Sequence, residues 1–174
     1  MKKYLQIALM LFCVLVVSSC SKNEDALEVD EAWKIENDEA FQAQIFAPGF
    51  QQLKSQSNEG FILYKVIKEG EGKEPIYYTS TVKAYYKGTL IDGTVFESHT
   101  FEEGAPSKFE VSGVVDGWTT ALQHMHVGDK WEIWIPQQLG YGASGKKAQA
   151  AGQITILPYT TLIFELEVAE IVKQ

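Results

Sequence analysis

From Phe61 onward, apolar and polar positions alternate with a period of two, the pattern of half-buried strands. Ile62, Tyr64 and Val66 alternate with Leu63, Lys65 and Ile67. Val82, Ala84 and Tyr86 alternate with Lys83, Tyr85 and Lys87. Between these runs, Glu69-Gly70-Glu71-Gly72 reads as a turn. Asp92-Gly93 predicts a tight hairpin with both residues at positive φ, followed by a strand near 94–97. Trp131, Ile133 and Ile135 make one face of a later strand. Leu162, Phe164, Leu166 and Val168 make one face of the last. The period turns helical at Trp118, Ala121, Leu122 and Met125, spaced i, i+3, i+4 and i+7, with Asp116 placed to cap the helix. Nearer the start, Trp33, Phe41 and Ile45 fall near one stripe. They predict an acidic amphipathic helix of roughly 15 residues, ended before Pro48. The sum is an α+β fold: a twisted antiparallel sheet of roughly five to six strands wrapped around one short helix, with a helical segment in front. One stretch, Leu139 to Thr160, has four glycines (Gly140, Gly142, Gly145 and Gly152) and few strand signals. Loops of that length in a compact domain are usually functional.

The chain of 174 residues suits one domain plus an appendage, and 45% apolar with 22% charged residues argues against wholesale disorder. There are 23 acidic residues against 15 lysines, with no arginine and a net charge of −8. That balance argues against nucleic acid as a partner, since phosphate contacts need a basic surface. Cys13 and Cys20 are the two cysteines, too few for a disulfide framework or a cysteine-based zinc site.

Those cysteines belong to a separate story at the N-terminus. After Met1-Lys2-Lys3 the chain runs apolar from Leu5 to Val17, with Gln6 interrupting. The run falls short of the roughly 20 residues needed to span a bilayer, and its basic start marks an export signal. It ends Val17-Ser18-Ser19-Cys20, which resembles the bacterial lipobox, in which the cysteine is lipidated before cleavage. Residues 1–19 are then a lipoprotein signal peptide, 20–58 an acidic tether with a helix, and 59–174 the folded domain. Cleavage leaves 174 − 19 = 155 residues carrying −8 − 2 = −10. Residues 21–60 hold nine acids and three lysines. A spacer between lipid and domain is the expected role, ahead of a docking or dimerisation helix. Ser21 follows Cys20 where an aspartate would signal inner-membrane retention. The expected location is the bacterial envelope, on the outer membrane facing the periplasm or the cell surface.

Bond-breaking chemistry leaves little trace. There is no Gly-x-Ser-x-Gly, P-loop or dinucleotide fingerprint. His124 and His126 stand at i, i+2, whereas helical metal pairs need i, i+4. His99 lacks an evident partner, and Glu102-Glu103 reads as a solvated pair. No metal and no cofactor are expected. What remains is aromatic: Tyr86, Phe96, Phe109, Trp118, Tyr141 and Phe164. Such a set is more often core than site, but tyrosine hydroxyls need partners and Tyr141 sits in the glycine-rich loop.

From about residue 60 to 172 the chain resembles the FKBP-type peptidyl-prolyl isomerases, the macrolide-binding immunophilin family. The resemblance rests on Tyr85-Tyr86-Lys87-Gly88-Thr89-Leu90, Asp92-Gly93-Thr94-Val95-Phe96-Glu97-Ser98 and Gly113-Val114-Val115-Asp116-Gly117-Trp118. It continues through Met125-His126-Val127-Gly128-Asp129-Lys130, Ile135-Pro136, Leu139-Gly140-Tyr141-Gly142 and Leu162-Ile163-Phe164-Glu165-Leu166, all in family order. The resemblance implies an isomerase for proline-containing polypeptides, with macrolides as further ligands. It implies catalytic roles for Tyr86, Phe96, Glu97, Trp118, Tyr141 and Phe164, and substrate contacts from Phe109, Val114, Val115 and Ile156. Trp118 would be the pocket floor, and the Val115 amide and Tyr141 hydroxyl would hold substrate carbonyls. Glu97 stands where the family has an aspartate, Ser107 where an aromatic is frequent, and Lys146 near the family's loop histidine. Those departures keep a second expectation open: an FKBP-like chaperone or assembly lipoprotein that binds clients without turnover.

Overall fold

The computed structural model describes residues 26–173; the expected signal peptide, Cys20 and Gln174 lie outside them. The described chain enters through helix α1 (Glu31–Gln44), which ends ahead of Pro48. Asp30 starts it, its Oδ1 accepting from the amides of Ala32 at 3.0 Å and Trp33 at 3.1 Å. That satisfies two of the donors a helix start leaves open.

Seven strands follow: β1 (Gln51–Lys54), β2 (Phe61–Lys68), β3 (Thr81–Thr89), β4 (Val95–His99), β5 (Ser107–Glu110), β6 (Lys130–Ile135) and β7 (Leu162–Val172). They form one antiparallel sheet in the order β1-β2-β6-β7-β3-β4, with β5 also on β3. One edge of β3 is divided between two partners. Thr81 to Ala84 pairs with β5, and Tyr86 to Thr89 pairs with β4. Helix α2 (Asp116–Leu122) packs against this sheet.

On β3, β6 and β7 the alternation seen in the sequence is the alternation of burial; β2 departs from it, with the neighbours Ile62 and Leu63 both buried and Val66 exposed. Val82, Ala84 and Tyr86 face inward on β3, Trp131, Ile133 and Ile135 on β6, and Leu162, Phe164, Leu166 and Val168 on β7. They meet Trp118, Ala121 and Leu122 of α2, and Met125 just beyond it, in one core.

Four details differ from the expectation. The sheet gains β1, whose Gln51-Gln52-Leu53-Lys54 has one apolar residue; backbone pairing with Phe61–Tyr64 makes it a strand, which side-chain pattern does not signal. Helix α1 is docked rather than standing off as a spacer. Asn37 is fully buried, its Oδ1 accepting from the Thr161 amide at 2.7 Å, and Trp33 Nε1 donates to Thr160 Oγ1 at 2.8 Å. Phe41 meets Phe61 with ring centroids 5.8 Å apart. Polar anchors of this kind are invisible to a hydrophobic stripe. In α2 the capping position falls to Val115, whose side chain makes no cap bond. Asp116 lies in the first turn, where its charge still suits the dipole. In the β3–β4 hairpin only Gly93 adopts positive φ (+83°). Gly93 N–H reaches Leu90 O and Leu90 N–H reaches Thr94 O, both at 2.9 Å, so the loop has three residues rather than two. Asp92 Oδ1 accepts from the Thr94 amide at 2.8 Å instead of turning its own backbone over.

Candidate active site

Four elements aim aromatic rings at one place. β3 brings Tyr86, β7 brings Phe164, β5 brings Phe109 and the first turn of α2 brings Trp118. Trp118 is 3% exposed at the centre. Its ring centroid lies 5.1 Å from Tyr86, 5.1 Å from Phe109 and 5.2 Å from Phe164, each edge-on. Edge-to-face packing sets the positive edge of one ring on the negative face of another and keeps the cluster rigid.

β4 supplies two consecutive residues to the same region, which a regular strand does not do. Val95 pairs with Thr89 and Glu97 with Gly88, so Phe96 is an extra residue opposite a single step of β3. The bulge re-aims the strand. Phe96 packs edge-on against Phe164 at 5.4 Å, and Glu97 still reaches Tyr86. Gly88 makes the room: a Cβ there would lie 2.5 Å from Phe96 Cζ and 2.8 Å from Phe164 Cε1.

The result is an open cleft of about 280 Å³. That is close to the lower end of small-molecule sites, roughly 300–1,000 Å³. Trp118 floors it, and Tyr86, Phe109 and Phe164 wall it. Glu97, Gly113, Val114, Val115, Tyr141 and Lys146 complete the lining. Of the residues the sequence nominated, Phe96 and Ile156 are not in this lining. Phe96 packs on Phe164, which does line the cleft. Ile156 is 2% exposed and lies in the core, its backbone bridged to Lys146. Gly113 was not nominated; its glycine-valine neighbourhood was the available signal.

The polar groups have unequal freedom. Tyr86 donates its hydroxyl to Glu97 Oε1 at 2.8 Å. Burial, and then the carboxylate beside it, push that phenol well above the usual tyrosine range. Tyr86 therefore stays neutral with its proton committed. Tyr141 is placed oppositely: its hydroxyl accepts from Lys146 Nζ at 3.3 Å, which leaves its own proton free to donate. The Val115 amide donates to no group among the described residues, and Val114 and Val115 are extended. The Trp118 Nε1 is buried without a partner. Among the described residues no three His, Cys, Asp or Glu side chains converge as a metal cage. The cleft offers aromatic walls and, besides the Lys146 ammonium, two donors free to meet a ligand, Tyr141 Oη–H and the Val115 amide; no nucleophile and base are in partnership among the described residues.

The family profile for FKBP-type peptidyl-prolyl cis-trans isomerase matches residues 72–169, more than half of the chain. The chain belongs to the FKBP-type isomerase family. Among relatives, it is 46% identical over 115 residues to the FKBP-type 22 kDa peptidyl-prolyl cis-trans isomerase of Escherichia coli (strain K12), covering 66% of this chain and 52% of that one. It is 44% identical over 110 residues to the outer membrane protein MIP of Legionella longbeachae, covering 63% and 44%. The chain thus spans about half the length of the curated relatives it matches. Among solved structures, a peptidyl-prolyl cis-trans isomerase from Pseudomonas syringae pv. tomato superposes with a TM-score of 0.66 at 30% identity, covering 84% of this chain and all of that one. The FKBP-type match includes all four rings around the cleft, both valines, Tyr141 and Lys146.

Proposed function

We propose that this FKBP-type chain is a peptidyl-prolyl cis-trans isomerase acting on exported polypeptides at the bacterial envelope. The observation that carries the reading is the aromatic cleft with two uncommitted donors, Tyr141 Oη–H and the Val115 amide. An X–Pro bond turns over a barrier of about 18–20 kcal/mol because twisting costs amide resonance. No covalent bond breaks, so neither acid, base nor nucleophile is needed. The proline ring sits over Trp118, between Tyr86, Phe109 and Phe164. The planar amide is more polar than the twisted one, so an apolar cleft disfavours the starting state. The Tyr141 hydroxyl and the Val115 amide hold carbonyls in the twisted geometry. Phe96 supports Phe164, and Ile156 supports the loop through its bridge to Lys146. Glu97 fixes Tyr86. Macrolide ligands would use the same walls.

In this reading residues 1–19 are the signal, Cys20 carries the lipid, and residues 59–174 form the isomerase domain. Helix α1 and β1 of the intervening 20–58 segment are docked on it. The relative named an outer membrane protein supports an envelope location. No helix among the described residues is long and apolar enough to cross a membrane. A Cys20→Ser chain should leave the membrane fraction, and mass spectrometry should find no lipid on it; membrane retention unchanged by that substitution would remove the anchor.

The test of activity is isomerisation by the chain from Ser21 onward in a protease-free peptide assay. Acceleration is expected. Tyr141→Phe should lower kcat/KM about 2- to 10-fold, the worth of one hydrogen bond. A folded chain that accelerates no X–Pro peptide would sink the proposal.

A further inference from the structure

The cleft carries one ammonium, that of Lys146. Lys34, Lys68, Lys83 and Lys130 each pair with a glutamate. Lys146 pairs with no carboxylate among the described residues, although the chain is acidic overall. Its partners are neutral. Nζ lies 3.3 Å from the Tyr141 hydroxyl and 5.2 Å from the centre of the Tyr141 ring.

Its backbone is pinned rather than adrift on a loop. Lys146 and Ile156 exchange two hydrogen bonds of 2.8 Å, and the Gly145 amide donates to Tyr141 O at 3.1 Å. Ile156 is buried, so this bridge ties the rim to the core. Lys146 therefore lines the cleft from a fixed point, beside the hydroxyl proposed to hold a substrate carbonyl.

Glu97 lines the same cleft and already accepts from Tyr86. The site thus carries one positive and one negative side chain beside apolar walls, with the Lys146 ammonium exposed to an incoming segment. A carboxylate entering this cleft is attracted at Lys146 and repelled at Glu97. We propose that Lys146 makes the cleft selective for X–Pro segments bearing an acidic side chain next to the proline. The proposal rests on the isomerase reading and narrows its substrate class.

The test compares matched peptides with glutamate, glutamine or leucine before the proline, and glutamate or glutamine after it. They are assayed with the full chain, Lys146→Met and Lys146→Arg. At low salt a glutamate peptide should exceed its glutamine counterpart in kcat/KM by roughly 2–5-fold, the range of an exposed ion pair. The ratio should fall to about one in Lys146→Met, persist in Lys146→Arg, and shrink at about 1 M salt, where charges are screened within roughly 3 Å. Using a ratio cancels any common effect of losing the Tyr141 contact, and Lys146→Arg keeps the net charge of the parent chain. A ratio of one at both positions, or a preference unchanged by Lys146→Met, would overturn the proposal. The leucine peptide separates the two readings: if it is accelerated while the glutamate ratio is flat, the isomerase stands and the Lys146 role falls. If no peptide is accelerated, calorimetric titration of the same glutamate and glutamine peptides decides. Tighter glutamate binding that is lost in Lys146→Met supports the role, and equal binding refutes it.

Discussion

Tyr86 and Glu97 form a small device inside the cleft, and its behaviour with pH follows from the direction of the Tyr86 shift. Burial and the carboxylate raise the folded phenol above the usual value of about 10. Below that pH both folded and unfolded chains keep the proton, and Tyr86 adds no pH dependence. Above it the unfolded chain loses the proton first, so stability is lost as pH rises. Urea unfolding between pH 8 and about 11 should fall less steeply for Tyr86→Phe than for the parent chain. Trp118 calls for a different control. At 3% exposure in the middle of the core, Trp118→Ala should cost about 3–5 kcal/mol, a large part of the roughly 5–15 kcal/mol that holds a domain together. Trp118→Phe keeps a ring and deletes the unpaired buried N–H, so its loss in urea should be clearly smaller. An activity loss in Trp118→Phe is then a statement about the cleft floor rather than about unfolding.

Among the elements, the β3–β4 ribbon and α1 repay attention for opposite reasons. The ribbon was legible as two strands and a turn, but its bulge was not, because alternation cannot say which residue lacks a partner. That bulge puts Phe96 against Phe164 while Glu97 holds Tyr86. Gly88→Ala pushes a methyl into both rings, and overpacking of this kind costs about 1–3 kcal/mol. Urea unfolding should show that loss, and kcat/KM should fall with it because Phe164 walls the cleft. Helix α1 was legible from Asp30 to its end before Pro48. Its docking was not, since Asn37 and the Thr161 amide are far apart in sequence. Asn37→Ala strands a buried amide, at about 1–3 kcal/mol. Hydrogen exchange should quicken in α1 and at Thr161, with little change in β2 and β6.

At the scale of the molecule, α1 and the glycine-rich loop share a boundary. Trp33 bonds Thr160, Asn37 bonds Thr161, and Lys34 Nζ lies 4.5 Å from the centre of the Tyr159 ring. These three residues carry the loop back into β7, and the same loop carries Tyr141 and Lys146. The helix that follows the proposed lipid anchor thus braces the return of the loop over the cleft. Removing residues 1–48 should raise hydrogen exchange across 141–161 and lower the melting temperature. Equal protection there with and without α1 would show that the brace is idle.

The sequence by itself determined the faces of β3, β6 and β7, the single core helix and the aromatic identity of the cleft. Those depend on periodicity and on motif order, which are local properties of the chain. Tertiary structure alone decided the rest. β1 exists because β2 offers a free edge, and α1 is docked because a distant amide needs an acceptor. Tyr86 and Tyr141 differ as donors because one meets a carboxylate and the other an ammonium. Hydrogen-bond partners far apart in the chain leave no period behind, so they emerge only when the chain is folded.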